Sequence, residues 1–428
     1  MKDEGPFAAK PLKAARSTAR VHWGAPATTR YAPYRRTSEG VLMAKYTVSS
    51  DYGSMFGMDV HARSVTVKGF DWATGEERTK RFGDCPAASE IAEWMEANFT
   101  GPYYAAYESG CTGFHLCRQL RKLGVDCDVI AVTSIARSND DKRRKTDKRD
   151  AGRILSEILS PKRSFSVVWV PDPECEAARD LARARHDAAM ALTRAKLQTT
   201  ALLLRHGFVW NEKTPAGNLK STWRGDFDAW IAKIDLGDDV DNEVLAFYRE
   251  CALGNLARLQ ELDKKVLACA ERPRWKPYVD AFVLIRGIDV QTAFLLAAEF
   301  GDFLRFPNGR SVSKWLGTVP SEHSSGDSVV HGRITKAGNS HCRSALVEGV
   351  TATCGRSLQL KRPKPGHEVS PSVLAHCHAA SKRTRSRYNH LAKEAKIGEN
   401  KARVAVVSEL ARWVWSVGCM VQEEQRSS

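Results

Sequence analysis

Hydrophobic positions change their spacing twice along this chain. From residue 51 to about 165 they form short runs, bounded by glycine, proline or charge, that alternate with stretches of helical spacing. The runs at 55–58, 64–70 and 77–82 predict a three-strand meander. Residues 87–99, with Ile91, Trp94 and Met95 on one face, predict a helix. Tyr103-Tyr104-Ala105-Ala106-Tyr107 predicts a fourth strand, 114–123 a second helix (Leu116, Leu120, Leu123), and 127–132 a fifth strand. A helix from about residue 147 completes the order βββαβαβα, an α/β layer arrangement.

Pro171 and Pro173 end this regime, and apolar residues then recur by threes and fours over long spans. One span is 174–205, through Leu181, Ala184, Ala188, Leu192, Ala195, Thr199 and Leu202. In the other, 244–270, Leu245, Ala252, Leu259 and Val266 hold one heptad position and Tyr248, Asn255, Leu262 and Cys269 the second. The pattern predicts a coiled coil joining two chains, although a hairpin within one chain needs the same stripe. Beyond residue 276 the stretches are short again. An apolar helix, the turn Arg286-Gly287-Ile288-Asp289 and a helix over 291–299 predict a helix-hairpin-helix, whose turn amides suit a phosphate. Small polar residues over 317–327 predict an exposed loop, and 332–339 a basic turn (Arg333, Lys336) before a helix with Arg343. The tail holds a basic helix with Lys382, Arg383 and Arg385, then an amphipathic helix through Val404, Val407, Leu410 and Trp413.

Two of the apolar runs end in acid. Asp59 closes the first strand and Glu108 the fourth, where a carboxylate is costly to desolvate unless a positive group meets it. Asp147 and Asp150, three apart on a helix, share one face. Each acid alone also suits a helix cap or a solvated ion pair. Four carboxylates from two strand ends and one helix suit divalent metal, which takes oxygen ligands. This order matches a ribonuclease-H-like domain. The preceding segment Lys142-Arg143-Arg144-Lys145 suits phosphate, or simply solvent.

Charge adds a partner class. There are 65 Lys and Arg against 50 Asp and Glu, a net +15 over 428 residues, which favours a polyanion such as nucleic acid. Eleven cysteines without a Cys-x-x-Cys pair read as small apolar residues of a reducing cytosol. His376-Cys377-His378 points its side chains in different directions on any regular element, and is assigned a structural role. No apolar run reaches the ~18 residues of a membrane span. Residues 1–50 read as a basic disordered arm, either an extension before Met43 or a phosphate grip.

With these residues assembled, the chain resembles the DEDD insertion-sequence transposases, which include the bridge-RNA-guided serine recombinases, and their relatives the pilin-gene invertases. The resemblance is carried by Gly57-Met58-Asp59, Tyr107-Glu108-Ser109-Gly110 and Lys145-Thr146-Asp147-Lys148-Arg149-Asp150-Ala151, in that order. It continues through Arg286-Gly287-Ile288-Asp289, where Asp289 departs from the usual Gly-Ile-Gly, and from Gly317 to Gly338-Asn339. It implies a RuvC-like domain (51–165), a coiled-coil dimerisation segment (166–275) and a helical C-terminal domain (276–428) supplying a nucleophilic serine. It further implies Asp59, Glu108, Asp147 and Asp150 as ligands of Mg2+ or Mn2+, and Ser325 as nucleophile, with Ser324 and Ser328 as neighbouring candidates. DNA, a bridge-type RNA and further copies of the chain are the implied partners. Two rivals stand beside it. A structure-specific nuclease needs the acids but no serine domain, and a dimeric binding protein needs neither.

Overall fold

The computed structural model describes residues 51–132, 147–160, 165–220, 222–223, 225–325, 328–354 and 358–427, with backbone only at 147–149 and 322–331. The arm 1–50 and the segment Lys142–Lys145 lie outside the described residues.

A six-stranded sheet forms the first layer, in the order β3-β2-β1-β4-β5-β6. Strands β1 (Ser54–Val60), β2 (Val65–Asp71) and β3 (Glu77–Phe82) make an antiparallel meander. Strands β4 (Tyr103–Glu108) and β5 (Asp126–Ile130) continue from β1 in parallel. A two-residue strand, β6 (Val167–Val168), pairs antiparallel with β5 and was not expected, since two valines carry no period. Helices α1 (Ala88–Asn98) and α2 (His115–Lys122) cover one face, and α3 (Asp147–Leu159) the other.

Strand alternation assigns the faces. Phe56 and Met58 of β1, with Ala105 and Tyr107 of β4, join the core under α1 and α2. Met55, Tyr104 and Ala106 join Ile154, Leu155 and Ile158 of α3. The parallel connections need helical crossovers, which α1 and α2 supply. The arrangement is a mixed α/β sheet, compatible with the ribonuclease-H-like expectation.

Helix α4 (Pro173–Arg205) starts at Pro173, with Asp172 capping the Cys175 amide. It runs antiparallel to α6 (Asp239–Ala270), because Arg185 pairs with Asp263 at 2.8 Å and His206 lies 3.7 Å from Asp241. A short helix, α5 (Gly225–Ile231), sits at the far tip, where Phe227 and Ile231 pack with Leu202, Leu203 and Leu245. The predicted seam therefore faces α4 of the same chain. Leu245, Ala252, Val266 and Cys269 are buried there, which is the hairpin alternative.

The near ends of α4 and α6 enter a second large core. Its other members are α7 (Lys276–Phe282), α8 (Val290–Phe300), α9 (Gly309–Trp315), α10 (Ser340–Cys354), α11 (Pro371–Asn389) and α12 (Glu399–Ser427). The stretch expected to be an exposed loop is instead a hairpin, β7 (Pro320–Ser325) with β8 (Ser328–Ile334). Cross-strand pairing offsets its weak local propensity, and the helical domain thus carries a small sheet. Helix α12 is long and apolar enough to cross a membrane by composition, but Val406, Val407, Leu410, Val414 and Val417 are core residues.

Candidate functional site

Gly57 determines how closely α3 approaches the sheet. A Cβ there would overlap the Ala151 carbonyl and the Leu155 amide, so only glycine lets α3 lie directly on β1. Ala151, fully buried, completes the contact from the helix side. This close packing brings the start of α3 to the end of β1.

Asp59 and Glu108 follow Gly57 and Ala106 by two residues, so both extend toward the α3 face. Their strands are adjacent, with Met58 in register with Tyr107. The His61 Nε2 lies 3.1 Å from an Asp59 oxygen. Asp150, one turn into α3, is mostly buried. Arg153 sits between Glu108 and Asp150, its Nη2 3.6 Å from the first and 3.5 Å from the second. Its Nε is buried without a partner among the described residues. Opposite Asp59 on β2 stands Thr66, whose buried hydroxyl is likewise unpartnered there.

Four acids were expected to form one metal site. Asp147 is at the first turn of α3, but its side chain lies outside the described residues. Among the described residues no three acidic, imidazole or thiol groups are close enough to hold an ion. Arg153 lies between two of the described acids. Crowded carboxylates repel, and a guanidinium between two of them offsets that charge. The donor set itself fits a hard divalent cation, being carboxylate oxygens with a spare hydroxyl beside them. Sequence reasoning missed Arg153, although its place three residues after Asp150 put it on the acidic face.

Ser325 ends β7 and pairs across the hairpin tip with Ser328, while Ser324 pairs with Val329. The base of this hairpin is anchored firmly. Gly317, at φ +65°, and Gly338 pack where a Cβ would strike Ala337 and the Trp315 carbonyl. The Asn339 amide donates to the Trp315 carbonyl, and its Oδ1 accepts from the Cys342 amide, capping α10. The Asn339 Nδ2 donates at 2.7 Å to Glu299, which is 1% exposed. Arg183 of α4 grips the same carboxylate through two bonds, at 2.6 and 3.0 Å.

The expected nucleic-acid contacts divide by what they already hold. Arg333, Lys336 and Lys382 are exposed. Arg343 donates to the Leu316 carbonyl, Arg383 pairs with Glu409, and Arg385 donates to the Thr353 carbonyl. The residues of His376-Cys377-His378 diverge as expected: His376 meets Ser416, Cys377 the Ala281 carbonyl, and His378 the Lys361 carbonyl.

Two family models match the chain. Residues 280–363 match one described as Transposase IS116/IS110/IS902 family, and residues 56–207 match one described as Transposase, of the DEDD type of IS110. The chain is 33% identical over 323 residues to a protein of Sinorhizobium fredii named putative transposase y4qE, covering 73% of this chain and 75% of that one. It is 30% identical over 269 residues to the transposase for insertion sequence element IS1533 of Leptospira borgpetersenii, covering 61% and 74%. A probable family 20 transposase of Pseudomonas aeruginosa is 25% identical over 256 residues, covering 59% and 71%.

Proposed function

The chain belongs to the transposases of the IS116/IS110/IS902 family, and we propose that it cuts and rejoins DNA with an acidic metal site and a serine nucleophile. In this reading Asp59, Glu108, Asp147 and Asp150 hold Mg2+ or Mn2+, and Ser325 attacks. The observation that carries the acidic half is the meeting of the strand-end Glu108 and the α3 acid Asp150 at Arg153, with Asp59 at the end of the adjacent strand.

When bound, the metal supplies Lewis-acid polarisation of a phosphoryl oxygen. The unpartnered Arg153 Nε is a donor suited to another oxygen of the same phosphate. The Ser325 Oγ forms a bond to phosphorus, and the bond from phosphorus to one deoxyribose oxygen breaks. The serine proton leaves to a base, and the freed sugar oxygen gains one. The strand stays attached through a phosphodiester to serine, so its bond energy is kept for rejoining. Water attack by the same acids would cut only.

The assembly reading changes its surface. Because the expected seam is consumed within the chain, a second copy is assigned to the outer face of the hairpin. Met190, Leu197 and Leu204 are exposed at heptad spacing on α4. By the antiparallel register, Leu253, Phe247 and Val240 of α6 lie about one helical turn from them, also exposed. The remaining basic residues, Lys142–Lys145 included, are assigned to DNA and to a bridge-type RNA. The test is metal-dependent cleavage of DNA carrying element ends, with the partner RNA. A covalent protein–DNA adduct supports the serine reading, whereas free ends alone would make the protein a hydrolytic nuclease.

A further inference from the structure

We propose that Thr66 is a positioning residue of the acidic site: its hydroxyl donates to the Asp59 carboxylate and sets the direction in which that acid meets a divalent cation. The proposal rests on the reading of Asp59 as a metal ligand given above.

Side-chain alternation places one row of residues across the sheet. Val65 and Val67 of β2, Phe82 of β3, Met58 of β1 and Tyr107 of β4 all join the core under α1 and α2. Their neighbours Thr66, Arg81, Asp59 and Glu108 therefore extend from the opposite face, where α3 lies. Register sets them side by side. Arg81 pairs with Thr66, Thr66 with Asp59, and Met58 with Tyr107, so that Glu108 follows beside Asp59. The row reads guanidinium, hydroxyl, carboxylate, carboxylate across four adjacent strands.

Hydrogen-bond capacity fixes what the hydroxyl can do in that row. A guanidinium only donates, an ionised carboxylate only accepts, and a threonine does both. Between Arg81 and Asp59 its proton therefore goes toward the acid. Thr66 is 3% exposed, and its Oγ1 has no partner among the described residues. Arg81 donates from Nη2 to Ser64 at 3.4 Å, and Asp59 turns an oxygen to His61 at 3.1 Å. A buried hydroxyl left unpaired is costly, and a valine of the same shape would remove that cost. Threonine at this position is accounted for by a bond made when Asp59 turns from His61 to its ligand position. Directly opposed side chains on neighbouring strands stand about 4.5–5.5 Å apart at Cβ, close enough for a side-chain rotation to close that bond. Ligating carboxylates are commonly fixed by such a second hydrogen bond, which orients them on the metal.

Mn2+ titration of the full chain by calorimetry tests this, with thermal melting as a second readout. Thr66→Val should bind Mn2+ roughly tenfold more weakly, and its melting temperature should rise less than the parent's when Mn2+ is added. Without Mn2+ it should melt at or above the parent temperature, because the lost hydroxyl had no partner. Thr66→Ser keeps the hydroxyl and should bind Mn2+ nearly as the parent does. Added to Asp59→Ala, Thr66→Val should weaken binding no further, since the hydroxyl acts through that acid. Parent-like Mn2+ binding by Thr66→Val would overturn the proposal, as would an additive loss in the double variant. A lower melting temperature of Thr66→Val without Mn2+ would overturn it too, by making the hydroxyl a structural group. The Asp59→Ala protein separates this proposal from the reading beneath it. If that variant loses Mn2+ affinity and Thr66→Val does not, only the Thr66 role fails. If both bind as the parent does, the acidic-site reading falls with it.

Discussion

Gly57 and Arg153 define the acidic site as much as the acids do. Any side chain at Gly57 drives into the α3 backbone, which cannot yield as a flexible side chain would. Gly57→Val should therefore cost at least about 1–3 kcal/mol of stability and displace Asp150, with chemical denaturation and cleavage as the two readouts. Asp59→Ala or Glu108→Ala should abolish cleavage while the fold and most DNA binding survive, and near-normal cleavage would remove that acid from the set. Under the proposed function, Arg153 would compete with metal for the same oxygens. Arg153→Gln should tighten Mn2+ binding by roughly fivefold, the equivalent of about 1 kcal/mol for one neighbouring charge, yet slow cleavage. Weaker Mn2+ binding in that variant would show that the guanidinium supports the ligands instead. Asp59 and Glu108 stand out in the sequence because each ends an apolar run. Arg153 does not, because a cation at i+3 from an acid on a helix ordinarily signals a solvated pair.

Among the elements, the long helices show where periodicity stops informing. The stripe from Leu245 to Cys269 was readable, but a stripe states only that something covers it. The structure supplies the cover, α4, and leaves a second set exposed, with Leu197 66% and Phe247 60% accessible. Leu197→Glu should lower the mass measured by sedimentation without unfolding the chain. Leu259→Glu should instead destabilise the hairpin, and the reverse pattern would restore the original seam as the interface. The β7–β8 hairpin escaped prediction for the opposite reason. Its serines and histidines have no strand pattern, and pairing makes them strands. The start of α4 carries an acid sensitivity. Hydrogen bonds from Arg274 hold the Asp172 carboxyl below the ordinary range, against burial. A depressed folded pKa means that its contribution is complete above the unfolded value, about pH 4, and fades as pH falls further. Asp172→Asn should flatten the fall of stability below that pH, and an unchanged slope would exclude this cap as its source.

At the scale of the whole molecule, the proposed function requires a serine on one domain to reach acids on another. Ser325 follows Asp150 by more than 170 residues in sequence, counting the numbering directly, and the α4–α6 hairpin lies between them. Glu299 joins these parts, since its carboxylate is shared by Arg183 of α4 and Asn339 at the foot of the serine hairpin. A shift of α4 would thereby be felt at that foot. A composite site follows from the proposed function, with the serine of one protomer acting at the acids of another. An isolated subunit would then be unable to cut, which protects the host DNA from unpaired breaks. The serine reading has a bland competitor, in which Ser325 merely shapes a hairpin tip, and complementation separates them. Ser325→Ala and Asp59→Ala proteins, each inactive alone, are mixed on DNA bearing element ends with the partner RNA. Composite sites should restore partial cleavage, with the covalent adduct only on the Asp59→Ala chain, which alone keeps the serine. No recovery would place serine and acids in one chain. An adduct on the Ser325→Ala chain would make another residue the nucleophile, with Ser324 the first to replace, since it precedes Ser325 on β7 and the hairpin presents both near its tip.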